Sequence, residues 1–186
     1  GSLFVFLRPL GLRLGANKQH MRKVFHEQLG EDFPVEAFDR DAREGFLRIE
    51  REEGIPVKKG ARELLSWLKE QGAVVGLASS TAHDIVVQEL TDAGLVDYFQ
   101  AITGGDQITH SKPDPEIYLK ACEKLGIDPK EAYAVEDSYN GIRSAFSAGM
   151  KPLMVPDLLP PTGEMEEKAH RIFDDLLEVR DFLAGK

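Results

Sequence analysis

The chain has 186 residues, of which 42% are hydrophobic and 30% are charged, and its formal net charge is −9 at pH 7. This composition is typical of a folded globular protein rather than a disordered one. The acidic excess argues against general binding to nucleic acid or to an anionic membrane, so neither is expected as a partner. No apolar run reaches the roughly 18 residues of a membrane span, and the single cysteine, Cys122, cannot form an internal disulfide. We therefore expect a cytoplasmic protein in which Cys122 is a core thiol.

The first third of the chain predicts helices. The segment "ANKQHMRKVFHEQLG" has apolar residues at helical spacing and ends at Gly30, a favourable helix stop. The segment "PVEAFDRDAREGFLRIEREEG" follows and has the dense charge of a solvated helix face. The pattern changes at residues 54–60, which we take as the boundary between this helical module and the rest of the chain.

Beyond this boundary, amphipathic helices alternate with short apolar runs. The predicted order is a helix in "GARELLSWLKEQG", a strand in "AVVGLA", a helix at 82–93, a strand at 100–103, a helix at 114–125, a strand at 132–136, a helix at 139–148, a strand at 151–155, the short run "RIF" and a helix in "DDLLEVRDFLAG". Continuous apolar runs are typical of parallel strands buried on both faces. Strands that alternate with helices of this length form right-handed βαβ units, so the sequence predicts a doubly wound parallel α/β sheet.

Ligands of an open parallel sheet bind beyond the carboxyl ends of its strands, so the residues after each apolar run are the first candidates for a site. Ser79, Ser80 and Thr81 directly follow the run "AVVGLA". Their hydroxyls and backbone N–H groups can bind a phosphate. An ordinary helix N-cap needs only one of them, and this segment taken alone favours the N-cap.

Two further strand ends carry charged side chains. Lys112 lies in "SKPDPEIY" before Pro113, so its backbone is expected to be extended just ahead of a helix. There its ammonium can neutralise a phosphoryl oxygen, although a single loop lysine is usually a solvated surface charge. Glu136 and Asp137 end the run "AYAVE". Adjacent carboxylates suit Mg²⁺, which prefers oxygen ligands, whereas the alternative is that Asp137 caps the next helix and Glu136 is exposed.

The three signals are stronger together than separately, because they fall in order on successive strand ends of one predicted sheet. In this order the residues resemble the haloacid dehalogenase-like hydrolases, in particular the β-phosphoglucomutase-like phosphatases with a small helical cap. "VVGLASST" resembles the second motif of that family, "SKPDP" the third and "VEDSYNGIRSAFSAGM" the fourth. The resemblance covers residues 54–155. It implies a three-layer α/β/α Rossmann-like core at residues 57–186 and a partial α-helical cap at residues 1–56.

The resemblance also implies roles for individual residues. Ser79 would bind the phosphoryl group, together with the two residues that follow it. Lys112 would neutralise charge on the phosphate and on the nucleophile. Glu136 and Asp137 would hold Mg²⁺, directly or through water, and Gly141 would shape the turn into the next helix. These roles agree with the chemistry of phosphoryl transfer, which depends mainly on positioning and charge neutralisation.

The first motif of the family does not occur in the 186 residues. That motif is a strand followed by Asp-x-Asp-Gly, whose first Asp is the nucleophile. The stretch "DRDARE" at 39–44 has the spacing but follows no predicted strand. We favour a truncated chain that begins inside the cap. In the alternative, "LFVFL" at residues 3–7 is the first strand and Leu7-Arg8-Pro9 stands where the acids belong.

The missing strand has a structural consequence. In this family the first strand lies at the centre of the sheet, between the strands that bear the second and fourth motifs. Its absence would leave two half-sheets with unpaired inner edges, which is unfavourable for buried backbone. We therefore expect residues 3–7, or a second chain in a self-associated form, to fill the gap.

The resemblance implies that the intact parent hydrolyses a phosphomonoester of a small metabolite, such as a sugar phosphate or a nucleotide. The reaction would depend on Mg²⁺ and pass through an aspartyl-phosphate. The 186-residue chain itself is expected to be inactive or very weak, since nothing in it replaces the nucleophilic carboxylate. Two alternatives are a β-phosphoglucomutase-like phosphomutase and a catalytically dead binding module. The lack of the first motif favours the binding module, whereas the retention of the other three favours an enzyme.

Overall fold

The computed structural model describes residues 26–27, 30–38, 40–41, 44–45, 57–157 and 159–185. From residue 57 onward its helices are α1 (Ala61–Glu70), α2 (His83–Asp92), α3 (Glu116–Leu125), α4 (Tyr139–Ser147), α5 (Gly163–Lys168) and α6 (Leu176–Leu183). Its strands are β1 (Gly76–Ala78), β2 (Ala101–Thr103), β3 (Tyr133–Glu136), β4 (Lys151–Met154) and β5 (Arg171–Ile172). The predicted alternation of helices and strands is confirmed, and the predicted ranges differ from these bounds by only a few residues.

The described residues before position 57 are partly helical. Residues 26–27, 35–38, 40–41 and 44–45 lie in helices, as the pattern in the first third predicted. The ends of these helices lie outside the described residues, and the division into a cap and a core at residue 56 stays a prediction. None of the helices in the described ranges is long and apolar enough to cross a membrane.

The strands are parallel throughout. β1 pairs with β2, while β3, β4 and β5 form a second parallel sheet in that order. Among the described strands no backbone ladder joins the two sheets, so β1 and β3 each have one edge without a described partner. The central strand of the sheet is predicted to lie between these two edges, and this placement stays a prediction. Residues 3–7, proposed as that strand, lie outside the described residues.

The two sheets share their hydrophobic core. Leu77 of β1 and Val135 of β3 belong to one cluster of buried side chains with residues of α1 and α6. A second cluster contains Ala78 of β1, Ala134 of β3 and the inner faces of α3 and α4. The helix α3 packs against β1 and β2, α4 packs against β3 and β4, and Tyr118 of α3 contacts Glu136 of β3. The carboxyl ends of β1 and β3 are therefore held by a common set of helices. The prediction for Cys122 is confirmed: it is 1% exposed within the second cluster, and burial raises the pKa of its thiol to about 11.

Candidate active site

Glu136 is the last residue of β3 and is 8% exposed. Its Oε1 atom forms an ion pair with the ammonium of Lys112 and accepts a hydrogen bond from the hydroxyl of Tyr118 at 2.5 Å. Its other oxygen, Oε2, accepts a hydrogen bond from the hydroxyl of Ser138 at 3.1 Å and from the backbone N–H of Asp137 at 3.2 Å. The structure thus brings two of the predicted site residues, Lys112 and Glu136, into direct contact.

The environment of Glu136 keeps its carboxylate charged. Burial alone would raise the pKa of this carboxyl group. The Lys112 charge, together with hydrogen bonds from Lys112, Tyr118 and Ser138, outweighs burial and lowers the pKa below its ordinary value. Tyr118 shows the opposite effect: burial and the neighbouring Glu136 charge raise its pKa well above the ordinary value, so its hydroxyl remains a donor.

The backbone at Gly141 closely approaches the Glu136 carboxylate. A Cβ atom at position 141 would lie 2.0 Å from the Glu136 carboxyl carbon and 2.0 Å from its Oε2, so the carboxylate would have to shift. Ser138 is the N-cap of α4, and its hydroxyl accepts the Gly141 N–H at 3.1 Å. Gly141 therefore acts through its small size: the lack of a side chain lets α4 begin against the Glu136 carboxylate. The alternative in which Asp137 caps this helix is wrong, because Ser138 does so.

The loop that carries Lys112 is fixed from both sides. The hydroxyl of Ser144 on α4, a fully buried side chain, donates to the backbone carbonyl of Asp114 at 2.7 Å. Asp114 Oδ1 in turn accepts the backbone N–H of Glu116 at 2.9 Å, at the start of α3. The Lys112 ammonium also lies 4.9 Å from the centroid of the Tyr118 ring, a favourable cation–π distance. Lys112 is therefore an anchored side chain and not a solvated surface charge.

Asp137 forms an ion pair with a different lysine, Lys58. Its Oδ2 lies 3.0 Å from the Nζ of Lys58, and Asp157 Oδ2 lies 3.6 Å from the same nitrogen. Lys58 is in the turn before α1, where its carbonyl accepts the Ala61 N–H at 3.0 Å. Sequence reasoning missed Lys58 and Asp157. Nothing in "VKKG" distinguishes Lys58 from its neighbour Lys59, and Asp157 lies in a proline-rich loop that had no assigned role.

The segment 79–81 extends the end of β1. The Ser79 N–H donates to the Thr103 carbonyl at 2.9 Å, and the Ser79 hydroxyl accepts the Thr81 N–H at 3.2 Å. The next helix, α2, has Ala82 as its N-cap and no side-chain cap hydrogen bond. The ordinary N-cap interpretation is thus wrong for these hydroxyls. Ser80 is exposed, and the phosphate-binding role of the segment stays a prediction.

Glycine residues after β2 support the turn at segment 79–81. The Gly105 N–H donates to the Thr81 carbonyl at 2.8 Å, and a Cβ at position 105 would lie 2.2 Å from the Ser80 carbonyl oxygen. No hydrogen bond or ion pair within residues 57–157 joins the segment 79–81 to Lys112, Glu136 or Asp137. The structure therefore pairs the third and fourth motifs and leaves the second motif as a separate strand end of the same core.

The donor set at Asp137 fits a hard cation. The two carboxylates of Asp137 and Asp157 already lie on either side of one positive charge, the Lys58 ammonium. Carboxylate oxygens are the ligands that Mg²⁺ prefers, usually one or two of them together with water and a substrate phosphate. Glu136 is less available, since both of its oxygens accept hydrogen bonds from protein donors. Of the two predicted metal ligands, Asp137 is the better placed.

A second acidic group lies nearby but has a structural explanation. His110, Asp114 and Glu116 bring their ligand atoms within 4.8 Å of one another at the surface. The Glu116 carboxylate accepts the backbone N–H groups of Thr109 at 2.8 Å and of His110 at 2.7 Å. These bonds lower the pKa of Glu116 below its ordinary value. Its role in holding the loop before α3 accounts for the cluster without a metal.

The parallel α/β core, with a lysine–carboxylate pair at the end of β3, places the chain among Rossmann-like α/β proteins, which bind ligands at their strand ends. The sequence model of one family with such a core, haloacid dehalogenase-like hydrolase, matches residues 14–155. The chain belongs to that family, as the resemblance implied.

Several curated relatives of the chain are named as phosphatases. YhcW of Bacillus subtilis, named as a candidate phosphatase, is 38% identical over 151 residues, which cover 81% of this chain and 67% of the relative. Hexitol phosphatase B of Escherichia coli is 40% identical over 105 residues, which cover 56% of this chain and 47% of the relative. The phosphorylated carbohydrates phosphatase of Thermotoga maritima is 34% identical over 133 residues, or 67% of this chain and 62% of the relative. The chain thus spans about half to two thirds of these relatives.

Solved structures confirm the fold. A Thermotoga maritima protein described as a candidate β-phosphoglucomutase superimposes with a TM-score of 0.77 at 24% identity, over 99% of this chain and 98% of the other. The CbbY protein of Rhodobacter sphaeroides, solved in complex with phosphate, gives a TM-score of 0.71 at 22% identity, over 95% of this chain and 94% of the other. At these identities the similarity establishes the Rossmann-like architecture alone.

Proposed function

We propose that the chain provides the phosphate-binding and Mg²⁺-binding parts of a phosphatase that hydrolyses monoesters of small phosphorylated metabolites. The observation that carries this proposal is the buried ion pair between Lys112 and Glu136, adjacent to Asp137. A buried ion pair is poor evidence for stability, because apolar residues of similar size often stabilise a core as well or better. Its position at a strand end, beside a second carboxylate, fits a site that must neutralise a phosphate.

Each residue has a proposed role. The Ser79 hydroxyl and the backbone N–H groups that follow it bind the phosphoryl oxygens. The Lys112 ammonium neutralises charge on the phosphate, and Glu136 holds that ammonium in place. Asp137 is the direct carboxylate ligand of Mg²⁺, with Glu136 acting through water. When bound, Mg²⁺ would neutralise and orient phosphoryl oxygens.

The relatives support a sugar phosphate as the substrate class. One is named for hexitol phosphates and another for phosphorylated carbohydrates. The structural neighbour CbbY was solved with phosphate bound. Because this chain spans only part of the curated relatives, the activity of the whole protein belongs to the proposal. The proposal also includes a cytoplasmic location and the exclusion of nucleic acid and membrane as partners. It further includes self-association through the unpaired edges of β1 and β3.

The test begins with the coding sequence upstream of Leu3. If it encodes Asp-x-Asp-Gly after an apolar run, the extended protein should release inorganic phosphate from hexose phosphates in a Mg²⁺-dependent reaction. Lys112→Met and Asp137→Asn should each lower kcat/KM by about 10²–10³-fold. Lys130→Met, at an exposed lysine of the short 3-10 helix before β3, should change it less than about twofold. The 186-residue chain alone should show little or no turnover, and Mg²⁺-dependent turnover by it would contradict this part of the proposal.

The same assay separates the alternatives. A phosphomutase would convert a hexose 1-phosphate to the 6-phosphate with little release of inorganic phosphate. A binding module without catalysis is favoured by one observation, the lack of Asp-x-Asp-Gly in the 186 residues. That function would be supported if the upstream sequence also lacked the motif and the protein bound sugar phosphates without converting them.

A further inference from the structure

The Lys58 ammonium lies between two carboxylates from different parts of the chain. One is Asp137, at the carboxyl end of β3, and the other is Asp157, in the loop after β4. The side chains of Lys58 and Asp137 are only 19% and 14% exposed, whereas Asp157 is 48% exposed. A positive charge therefore already lies at the carboxylate that we propose as the Mg²⁺ ligand.

The next residue provides a direct contrast. Lys59 also forms an ion pair, with Asp175 Oδ2 at 2.7 Å, but its side chain is 77% exposed. Asp175 is the N-cap of α6, far along the chain from the strand-end motifs. Water screens such an exposed pair, and ion pairs of this kind contribute little to stability. The side chains of Lys58 and Asp137 are both largely shielded from water, so their charges are screened less than those of the exposed pair.

We propose that Lys58 is an internal cation that competes with the divalent metal for Asp137. This inference rests on the assignment of Asp137 as the metal ligand in the proposed function. A divalent ion at Asp137 repels the ammonium, which must leave this carboxylate when the metal binds. Asp157 is the acceptor for the released ammonium, because it already lies 3.6 Å from the same nitrogen and is more exposed.

The proposal predicts weak divalent-metal binding by the chain as it stands and tighter binding without the Lys58 charge. Removing a like charge a few ångströms from a metal ligand should strengthen binding by about tenfold or more, even in a partly screened site. Removing the Lys59 charge should change binding by less than about twofold, since that charge is exposed and paired elsewhere. Each substitution removes one positive charge, and the two lysines are adjacent in sequence, so the Lys59 variant controls for the change in net charge.

The experiment is a titration with Mn²⁺, followed by the electron paramagnetic resonance signal of the free ion, on the 186-residue chain. The variants are Lys58→Met, Lys58→Gln, Lys59→Met and Asp137→Asn. Lys58→Gln keeps an N–H donor for Asp137, so it replaces Lys58→Met in the titration if Lys58→Met does not fold. We expect both Lys58 variants to bind Mn²⁺ about tenfold more tightly than the unmodified chain and Lys59→Met to bind like the unmodified chain.

The outcomes separate this inference from the proposed function. Equal binding by the Lys58 and Lys59 variants, with binding lost in Asp137→Asn, would overturn the competition and leave Asp137 as the ligand. Weaker binding by the Lys58 variants would also overturn it. Unchanged binding by Asp137→Asn would overturn the metal assignment itself, and the inference with it.

Discussion

Gly141→Ala tests the packing of α4 against the buried carboxylate. The new Cβ would lie 2.0 Å from the Glu136 carboxyl carbon, so that carboxylate must move. Alanine stabilises a helix interior by about 1 kcal/mol relative to glycine. Displacing Glu136 would disrupt its buried contacts with Lys112 and Tyr118, and breaking a buried ion pair costs about 3–5 kcal/mol. The net expectation is a loss of about 2–4 kcal/mol in the free energy of unfolding.

Urea unfolding followed by circular dichroism measures this loss, which corresponds to roughly 5–15 °C in Tm for a chain of this length. Gly163→Ala is the matched control. Gly163 is the first residue of α5, and a Cβ there would meet nothing within 4 Å. The Gly163→Ala variant should be as stable as the unmodified chain or slightly more stable. If Gly141→Ala were as stable as Gly163→Ala, α4 would not begin against the Glu136 carboxylate and the described site geometry would be wrong.

Two further predictions concern the same carboxylate and the second motif. Tyr118→Phe removes a donor to Glu136, so it should cost about 1.5–3 kcal/mol at neutral pH in denaturant unfolding. Because folding lowers the pKa of Glu136, its contribution to stability is present above the ordinary value of 4.5 and is lost as the pH falls through the lower folded-state pKa. Tyr118→Phe should raise the folded-state pKa of Glu136, so the loss of stability on acidification should begin at higher pH. An unchanged acid-unfolding curve would refute this role of the Tyr118 hydroxyl. Ser79→Ala should change the free energy of unfolding by less than about 1 kcal/mol, because the Ser79 hydroxyl accepts a hydrogen bond only from the nearby Thr81 N–H. The same substitution should weaken phosphate binding. A large loss of stability would show that the hydroxyl has a structural role instead.

The order of helices and strands was predictable because it depends on local patterns. Continuous apolar runs mark β1 and β3, and amphipathic spacing marks α1 and α3. The placement of Ser79, Lys112 and Glu136 near strand ends follows from the same patterns. The two-sheet division depends on the central strand, and residues 3–7, which are proposed as that strand, lie outside the described residues, so that part of the fold stays a prediction.

The side-chain partners were not predictable from the sequence. Lys112 and Glu136 are 24 residues apart in sequence, and their contact depends on tertiary packing that brings the loop before α3 to the end of β3. Tyr118 has the spacing of an ordinary core aromatic, and only the structure shows its hydroxyl against a carboxylate. Lys58 and Asp137 are 79 residues apart, and no local signal separates Lys58 from the exposed Lys59. Contacts between residues so far apart in sequence depend on tertiary packing, which composition and periodicity do not determine.

A calorimetric titration of the 186-residue chain with inorganic phosphate, with and without Mg²⁺, tests most directly whether the strand ends form one site for phosphate and metal. If the strand ends form one site, Mg²⁺ should tighten phosphate binding, and phosphate should tighten Mg²⁺ binding by the same factor. Lys112→Met should abolish measurable phosphate binding, while Lys130→Met should leave it unchanged. Phosphate binding that is absent, or that responds neither to Mg²⁺ nor to Lys112→Met, would show that the strand ends do not form this site.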